Sequence, residues 1–174
     1  DRAFSITELC ATLATAGLEL AGVTAPHLYD PDAILPKGQQ VPEGLDRIAR
    51  LQIAENLRGT FKTHVFYARP KGALIPPPLG KGSAVPHVMG PVAGLARTIA
   101  DKGSLTIDAD GEAFTFAIPK SAAPLISAID GRRSLETIRT GYKLDAIGFS
   151  VAWKPLERAL CGMGLMHYSR LLVR

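Results

Sequence analysis

The first residues of the chain have the hydrophobic pattern of an amphipathic helix. Apolar side chains in the segment SITELCATLATA (residues 5–16) recur at i, i+3, i+4 and i+7, which predicts one buried helical face. Ser5 and Glu8 have the spacing of a capping box, and Gly17 can adopt the left-handed conformation that ends many helices. The short apolar segment at 18–23 then predicts a strand.

The segments that follow predict a loop, a second helix and a second strand. A proline-containing loop is expected at 24–42. Apolar positions in 43–58 fall near one face of a helix. The segment THVFYA at 63–68 is rich in β-branched and aromatic residues, which predicts a strand.

A stretch rich in proline and glycine separates this region from the rest of the chain. From Pro70 to Pro91 there are six prolines and four glycines. Because consecutive prolines remove amide donors and forbid helix, residues 71–103 are expected to form an extended connector, with a short helix at 92–101. We place the domain boundary here.

Residues 104–174 predict a small α+β domain with a winged-helix-like order of elements. Apolar residues alternate over 104–120 around Asp110-Gly111, which is the pattern of a β-hairpin. Pro155 is expected to bend the last helix or to mark a restart within it. Three helices and a closing strand are expected at about 121–129, 134–140, 145–160 and 165–173.

The composition is that of a globular protein. The chain has 174 residues, of which 47% are apolar, enough for one or two domains with a buried core. No run approaches the ~18 apolar residues of a membrane span, and no basic-then-apolar leader opens the sequence. The two cysteines, Cys10 and Cys161, match neither C-x-x-C nor a disulfide ladder, so we expect a reducing, cytoplasmic location.

Positive charge is concentrated in the second part of the chain. The formal net charge is +4; residues 1–70 carry seven Lys or Arg against eight Asp or Glu, and residues 71–174 carry thirteen against eight. This asymmetry fits ordinary solubility and also permits an anionic or peptide partner. The residues expected to form a basic, partner-binding face are Arg132, Arg133, Arg139, Lys143 and Arg158.

The sequence lacks the common motifs of nucleotide and metal chemistry. G-x-G occurs in GKGSAV (80–85) and in CGMGLM (161–166), but neither lies between a strand and a helix and neither has a third glycine in place. The four histidines have no metal-ligand spacing, and G-x-S-x-G and H-E-x-x-H are absent. We therefore assign no catalytic residue and no metal ligand.

The chain nevertheless resembles a known family over most of its length outside the proline-rich stretch. Residues 1–70 resemble the last part of the catalytic core of bacterial class I S-adenosylmethionine-dependent methyltransferases. Its tail is similar to the C-terminal extension that some of those enzymes carry. The segments that carry the resemblance are DRAFSITELCATLATAGLELAGV, LYDP, NLRGTFKTHVFYA and AIPKSAAPLISAIDGRRSLETI, followed by VAWKPLERALCGMGLM.

The resemblance implies that residues 1–70 are an α/β remnant of a Rossmann-like, doubly wound sheet. The helix at 5–16 would be the last helix of that core, and 18–23 and 63–68 its sixth, parallel and seventh, antiparallel strands. No counterpart of the glycine-rich loop that grips the cofactor is present, so S-adenosylmethionine would bind a catalytic core encoded before Asp1. The chain by itself is then expected to be inactive.

The same mapping implies a substrate side. Ligands of open α/β sheets bind beyond the carboxyl ends of the parallel strands, where three separated stretches of this chain would converge. The insertion at 24–62 would act as a lid or wall there. Arg2 would hold an acidic group, and Tyr29 or Asp30 would orient the methyl-accepting nucleophile; capping and packing are the alternative roles. The implied substrate-binding residues are Arg2, Phe4, His27, Tyr29, Asp30 and His64.

Three roles remain open for residues 104–174. As an accessory domain of a methyltransferase they would recognise substrate or mediate dimerisation. The DGRRS pattern also resembles small peptide-recognition modules in which a leader peptide adds a strand to the wing, and a basic winged helix can bind nucleic acid, the less favoured alternative. The purely structural explanation is a turn at Asp130-Gly131 with Ser134 capping a helix.

Overall fold

The computed structural model describes residues 3–36, 39–73, 82–109 and 111–169. It divides into two compact units, Asp1–Leu74 and Ile75–Arg174, called unit 1 and unit 2 below. Helices and short antiparallel sheets make up both units. No helix in the described ranges combines the length and the apolar character that a membrane crossing requires.

Unit 1 begins with the helix that the capping box predicts. The Ser5 side chain accepts from the Glu8 amide, and the Glu8 carboxylate accepts from the Ser5 amide, so both halves of the box are formed. The loop expected at 24–42 contains a 3-10 turn, Pro26–Tyr29, and a one-turn helix. The elements of unit 1 are α1 (Ile6–Thr15), β1 (Leu18–Val23), α2 (Pro31–Ile34), α3 (Arg47–Arg58) and β2 (Phe66–Pro70).

The two strands of unit 1 pair antiparallel, as expected from the sequence. Leu18 lies opposite Pro70 and Val23 opposite Phe66, with a bulge between Leu20 and Gly22. β2 begins at Phe66 rather than at residue 63, and the preceding residues approach the sheet through one bond from the Thr24 amide to the Val65 carbonyl. Ile6, Leu20, Tyr29 and Leu51 form the core of this unit.

Unit 2 contains two antiparallel strand pairs and four helices within the described residues. The predicted hairpin is formed, with Ser104 opposite Ala117 and Ala109 opposite Glu112; Asp110 of its turn lies outside the described residues. The elements are β3 (Val85–Val88), α4 (Val92–Lys102), β4 (Ser104–Ala109), β5 (Glu112–Ala117), α5 (Ala123–Ser127), α6 (Leu135–Gly141), α7 (Ala146–Gly162) and β6 (Met166–Ser169).

Part of the segment described above as a connector is built into unit 2. β3 pairs antiparallel with β6, and Val85 is 2% exposed. The hydrogen bond from the Met89 amide to the Leu165 carbonyl shows which residues of β3 direct their backbone groups toward β6. By this alternation the backbone nitrogen of residue 86 faces away from β6. Pro86, which has no amide hydrogen, therefore removes no hydrogen bond between the two strands. α4 likewise buries Ile99 completely.

The core of unit 2 is centred on α7, which is continuous through Pro155. Trp153, Leu156 and Leu160 are buried on one face of this helix. The restart considered at Pro155 does not occur.

We expect Leu156→Ala to destabilise unit 2 by about 2–5 kcal/mol, because Leu156 is fully buried and its removal leaves a cavity. The matched control is Ile147→Ala on the same helix, where the side chain is 74% exposed and the expected change is within about 0.5 kcal/mol. The measurement is urea unfolding followed by the fluorescence of Trp153, the single tryptophan of the chain, which lies in unit 2. Equal midpoints for the two variants would contradict this core.

Candidate functional site

A histidine in unit 1 holds three distant parts of the chain together. Nε2 of His64 lies 3.0 Å from the Phe4 carbonyl oxygen, and Nδ1 lies 2.6 Å from the Tyr29 hydroxyl. The Glu55 carboxylate is 3.4 Å from Nε2. We call Phe4, Tyr29, Glu55 and His64 the His64 cluster.

The bonding partners fix the tautomer of the neutral imidazole. A carbonyl oxygen can only accept, so Nε2 of His64 carries the hydrogen and donates to Phe4. Nδ1 then accepts from the Tyr29 hydroxyl. Both ring nitrogens therefore have hydrogen-bond partners within the protein, which fixes the orientation of the His64 ring.

Each member of the cluster is positioned by a different element. Phe4 precedes the capped start of α1, Tyr29 ends the 3-10 turn, and Glu55 lies on α3. The second oxygen of Glu55 accepts from the Ile6 amide at 2.8 Å. At this position the positive end of the α1 dipole also stabilises the negative charge of the carboxylate. Phe61 packs on both rings, with centroids 4.7 Å from Tyr29 and 5.4 Å from His64.

The Tyr29 phenol is held in its protonated form. Burial, and then the negative charge of Glu55, raise the pKa of Tyr29 to about 12. At neutral pH the hydroxyl therefore acts as a hydrogen-bond donor to His64 and not as a phenolate nucleophile.

A groove of about 350 Å³ lies directly against the cluster. Its wall combines the Glu55 carboxylate and the His64 ring with the aromatic faces of Phe4 and Phe61, and Lys62 and Thr63 stand beside them. Such a wall can position a small polar group through hydrogen bonds and pack an apolar part against the rings.

The implied substrate residues divide into two sets in the structure. His64 is hydrogen-bonded to both the Tyr29 hydroxyl and the Phe4 carbonyl oxygen, so these three residues lie together. Asp30 instead caps α2 by accepting from the Asp32 amide at 3.2 Å, which is the capping alternative. His27 lies in the 3-10 turn, and Arg2 lies outside the described residues.

Glu55 was missed by the sequence analysis. It stands in a helix beside the buried Ala54 and looks like an ordinary polar position at the edge of an amphipathic face. Only the approach of α1 and of His64 gives it a role, and local sequence carries no signal of that approach.

The basic residues of unit 2 are partly committed to intramolecular bonds. Arg133 pairs with Asp130 at 2.8 Å, and Arg139 pairs with Glu136 at 2.6 Å and donates to the Leu144 carbonyl. The Arg133 and Arg132 backbone amides lower the pKa of Asp130 to about 2, which is the behaviour of a charged turn carboxylate. Four basic side chains of the set are exposed, namely Arg132, Arg133, Lys143 and Arg158.

No protein-family model matches this chain, and no curated protein sequence matches it. Among the described residues, no group of three or more His, Cys, Asp or Glu side chains is arranged to hold a metal ion.

The Tyr29→Phe variant tests the geometry of the cluster by alkaline titration. The pKa of Tyr29 is raised from 10.0 to about 12, so folding favours the neutral phenol. Its stabilising contribution is complete below pH 10.0 and is lost as the pH rises through about 12. We expect Tyr29→Phe to remove one tyrosine ionisation near pH 12 from the near-ultraviolet absorbance titration.

The control for this titration is Tyr67→Phe, because Tyr67 is 65% exposed and belongs to no cluster described above. Its removal should leave the ionisation near pH 12 in place. If Tyr29→Phe and the parent protein titrate identically in that range, the assignment of a buried, donated hydroxyl to Tyr29 is wrong.

Proposed function

We propose that this chain is the C-terminal region of an S-adenosylmethionine-dependent methyltransferase and is not catalytic by itself. The observation that carries the proposal is the contact among Phe4, Tyr29 and His64. The resemblance places these three residues on one substrate side, although they are far apart in sequence. Their hydrogen bonds and the adjoining groove are what such a substrate wall requires.

The free β2 edge of the unit 1 sheet supports this proposal. Bonds from the Thr24 amide to Val65 and from the Lys71 amide to Gly17 set the alternation of the ladder. By that alternation, Phe66 and Ala68 direct their amides and carbonyls away from β1, and no partner for them is found in the described residues. A further strand of a larger sheet could pair on this side.

The outer side of β1 is in contrast covered at Leu20 and Ala21. The guanidinium of Arg47 donates to the Ala21 carbonyl at 3.0 Å and lies 3.5 Å from the Leu20 carbonyl. Exposed apolar side chains also favour additional protein near β2, since Val65 is 56% and Tyr67 65% exposed on alternate positions of one strand face. This difference between the two edges of the sheet fits a remnant of a larger sheet whose further strands would lie beyond β2.

The residues of this chain would contribute positioning. Methyl transfer from a sulfonium needs little acid-base assistance, so holding the acceptor in line is most of the task. In the proposal, Glu55 and His64 form a fixed wall and Phe61 packs on the substrate. The cofactor would be held by the preceding core, and no residue of this chain is assigned to it; unit 2 would recognise substrate or mediate dimerisation.

The test uses the protein expressed from the complete reading frame that encodes this chain. We expect it to bind S-adenosylmethionine in isothermal titration calorimetry. His64→Ala should keep that affinity while lowering formation of S-adenosylhomocysteine on any accepted substrate by roughly a hundredfold, because the acceptor is misplaced. His167→Ala, which removes an exposed histidine outside the His64 cluster, is the matched control.

Two results would refute the proposal. A full-length protein that does not bind S-adenosylmethionine removes the family assignment. A His64→Ala variant that folds and turns over normally removes the cluster from the substrate side and leaves it a structural role.

A specific observation favours a second candidate function, peptide binding by strand addition to β5. The bond from the Ile118 amide to the Gly103 carbonyl sets the ladder so that Ala113, Thr115 and Ala117 direct their amides and carbonyls away from β4. All three are exposed and uncharged. Natural edge strands are usually blocked by charge, proline or a bulge, and this part of β5 has none of these.

Thr115→Pro tests strand addition without breaking the hairpin, because the amide that it removes faces away from β4. The matched control is Thr106→Pro, which makes the same change on the opposite strand; the two threonines share one hydrogen bond of 2.9 Å. A peptide selected on the parent protein from a random library should bind the Thr106→Pro variant and fail to bind Thr115→Pro. Equal binding to both would exclude the β5 edge.

A further inference from the structure

A groove between α6 and α7 in unit 2 has a lining that the proposed functions do not use. Its volume is about 330 Å³, at the lower end of the range for small-ligand sites. Leu135, Phe149 and Trp153 form its apolar surface. Phe149 stacks on Trp153 with centroids 5.3 Å apart and an angle of 13° between the rings, so the aromatic surface is rigid.

Two linked hydrogen bonds hold Trp153 and Glu157 in place at the groove. The indole Nε1 of Trp153 donates to the Tyr168 hydroxyl at 3.0 Å, and that hydroxyl donates to Oε1 of Glu157 at 2.6 Å. The indole donates, the Tyr168 hydroxyl accepts from it and donates in turn, and the Glu157 carboxylate accepts. The indole ring and the Glu157 carboxylate are therefore presented to the groove in a defined orientation.

The charges that line the groove are unequal in what they can bind. Both oxygens of Glu136 accept from Arg139, whose third bond goes to the Leu144 carbonyl, so this pair is internally satisfied. Glu157 uses one oxygen for Tyr168, and no bond to its second oxygen is found among the described residues. Lys154 also lines the groove, but its side chain is exposed, where solvent screens its charge.

We propose that the α6–α7 groove binds a side chain with an apolar stem and a cationic head, as in the arginine and lysine residues of a peptide. The stem would pack on Leu135 and Phe149, and the head would bind the second oxygen of Glu157. A half-buried carboxylate beside aromatic rings favours such a cation through a charge-assisted hydrogen bond and through the π-face. The inference does not depend on methyl transfer or on strand addition.

The single tryptophan of the chain supplies the readout, since Trp153 lines the groove. The probe is N-acetylarginine amide, and the matched control ligand is N-acetylcitrulline amide, which has the same shape without the charge. We expect a saturable change in Trp153 fluorescence with the arginine compound and at least about tenfold weaker binding of the citrulline compound.

Two variants separate a specific site from a general effect. Glu157→Gln keeps an acceptor for Tyr168 and should weaken the arginine compound by about tenfold. Lys154→Gln, at an exposed position that does not challenge folding, is the matched control and should leave the affinity within about twofold, because solvent screens the charge that it removes. Equal binding of the two compounds, or an equal affinity of the arginine compound for Glu157→Gln and Lys154→Gln, would overturn the inference.

Discussion

Each β-sheet in the described residues has only two strands, and this constrains the rest of the architecture. A two-stranded sheet is marginal in water, so each must bury a face on helices. β1 packs with α1, and the β4–β5 hairpin lies against α4 and α7. The helices depend on the same packing, because their fully buried residues, Ile6 of α1 and Ile99 of α4, belong to the hydrophobic cores of unit 1 and unit 2.

The His64 cluster is the polar counterpart of that packing in unit 1. The side chain of His64 is 10% exposed and that of Glu55 is 16% exposed, so their polar atoms require partners inside the protein. They find them at the start of α1, on the 3-10 turn before α2 and on α3, which ties the 24–62 segment to the helix that precedes the sheet. The same bonds that satisfy buried atoms therefore build the wall of the groove.

Local rules predicted much of this fold because the decisive signals are local. The Ser5 and Glu8 box located the start of α1, and alternating apolar residues located the hairpin. β3 was missed because its four residues include Pro86 and its only strand partner in the described residues is β6, far along the chain. Glu55 was missed for the same reason, since its function is defined by distant groups. The methyltransferase assignment and the domain functions stay predictions.

The guanidinium of Arg47 over the outer carbonyls of β1 has a consequence for self-association. A sheet with two open edges can propagate into a fibre, whereas a sheet with one open edge can pair only once. Two copies joined through β2 would be related by a two-fold axis. Arg47 hinders the addition of a further strand at the Leu20–Ala21 part of β1, on the opposite side of the same sheet.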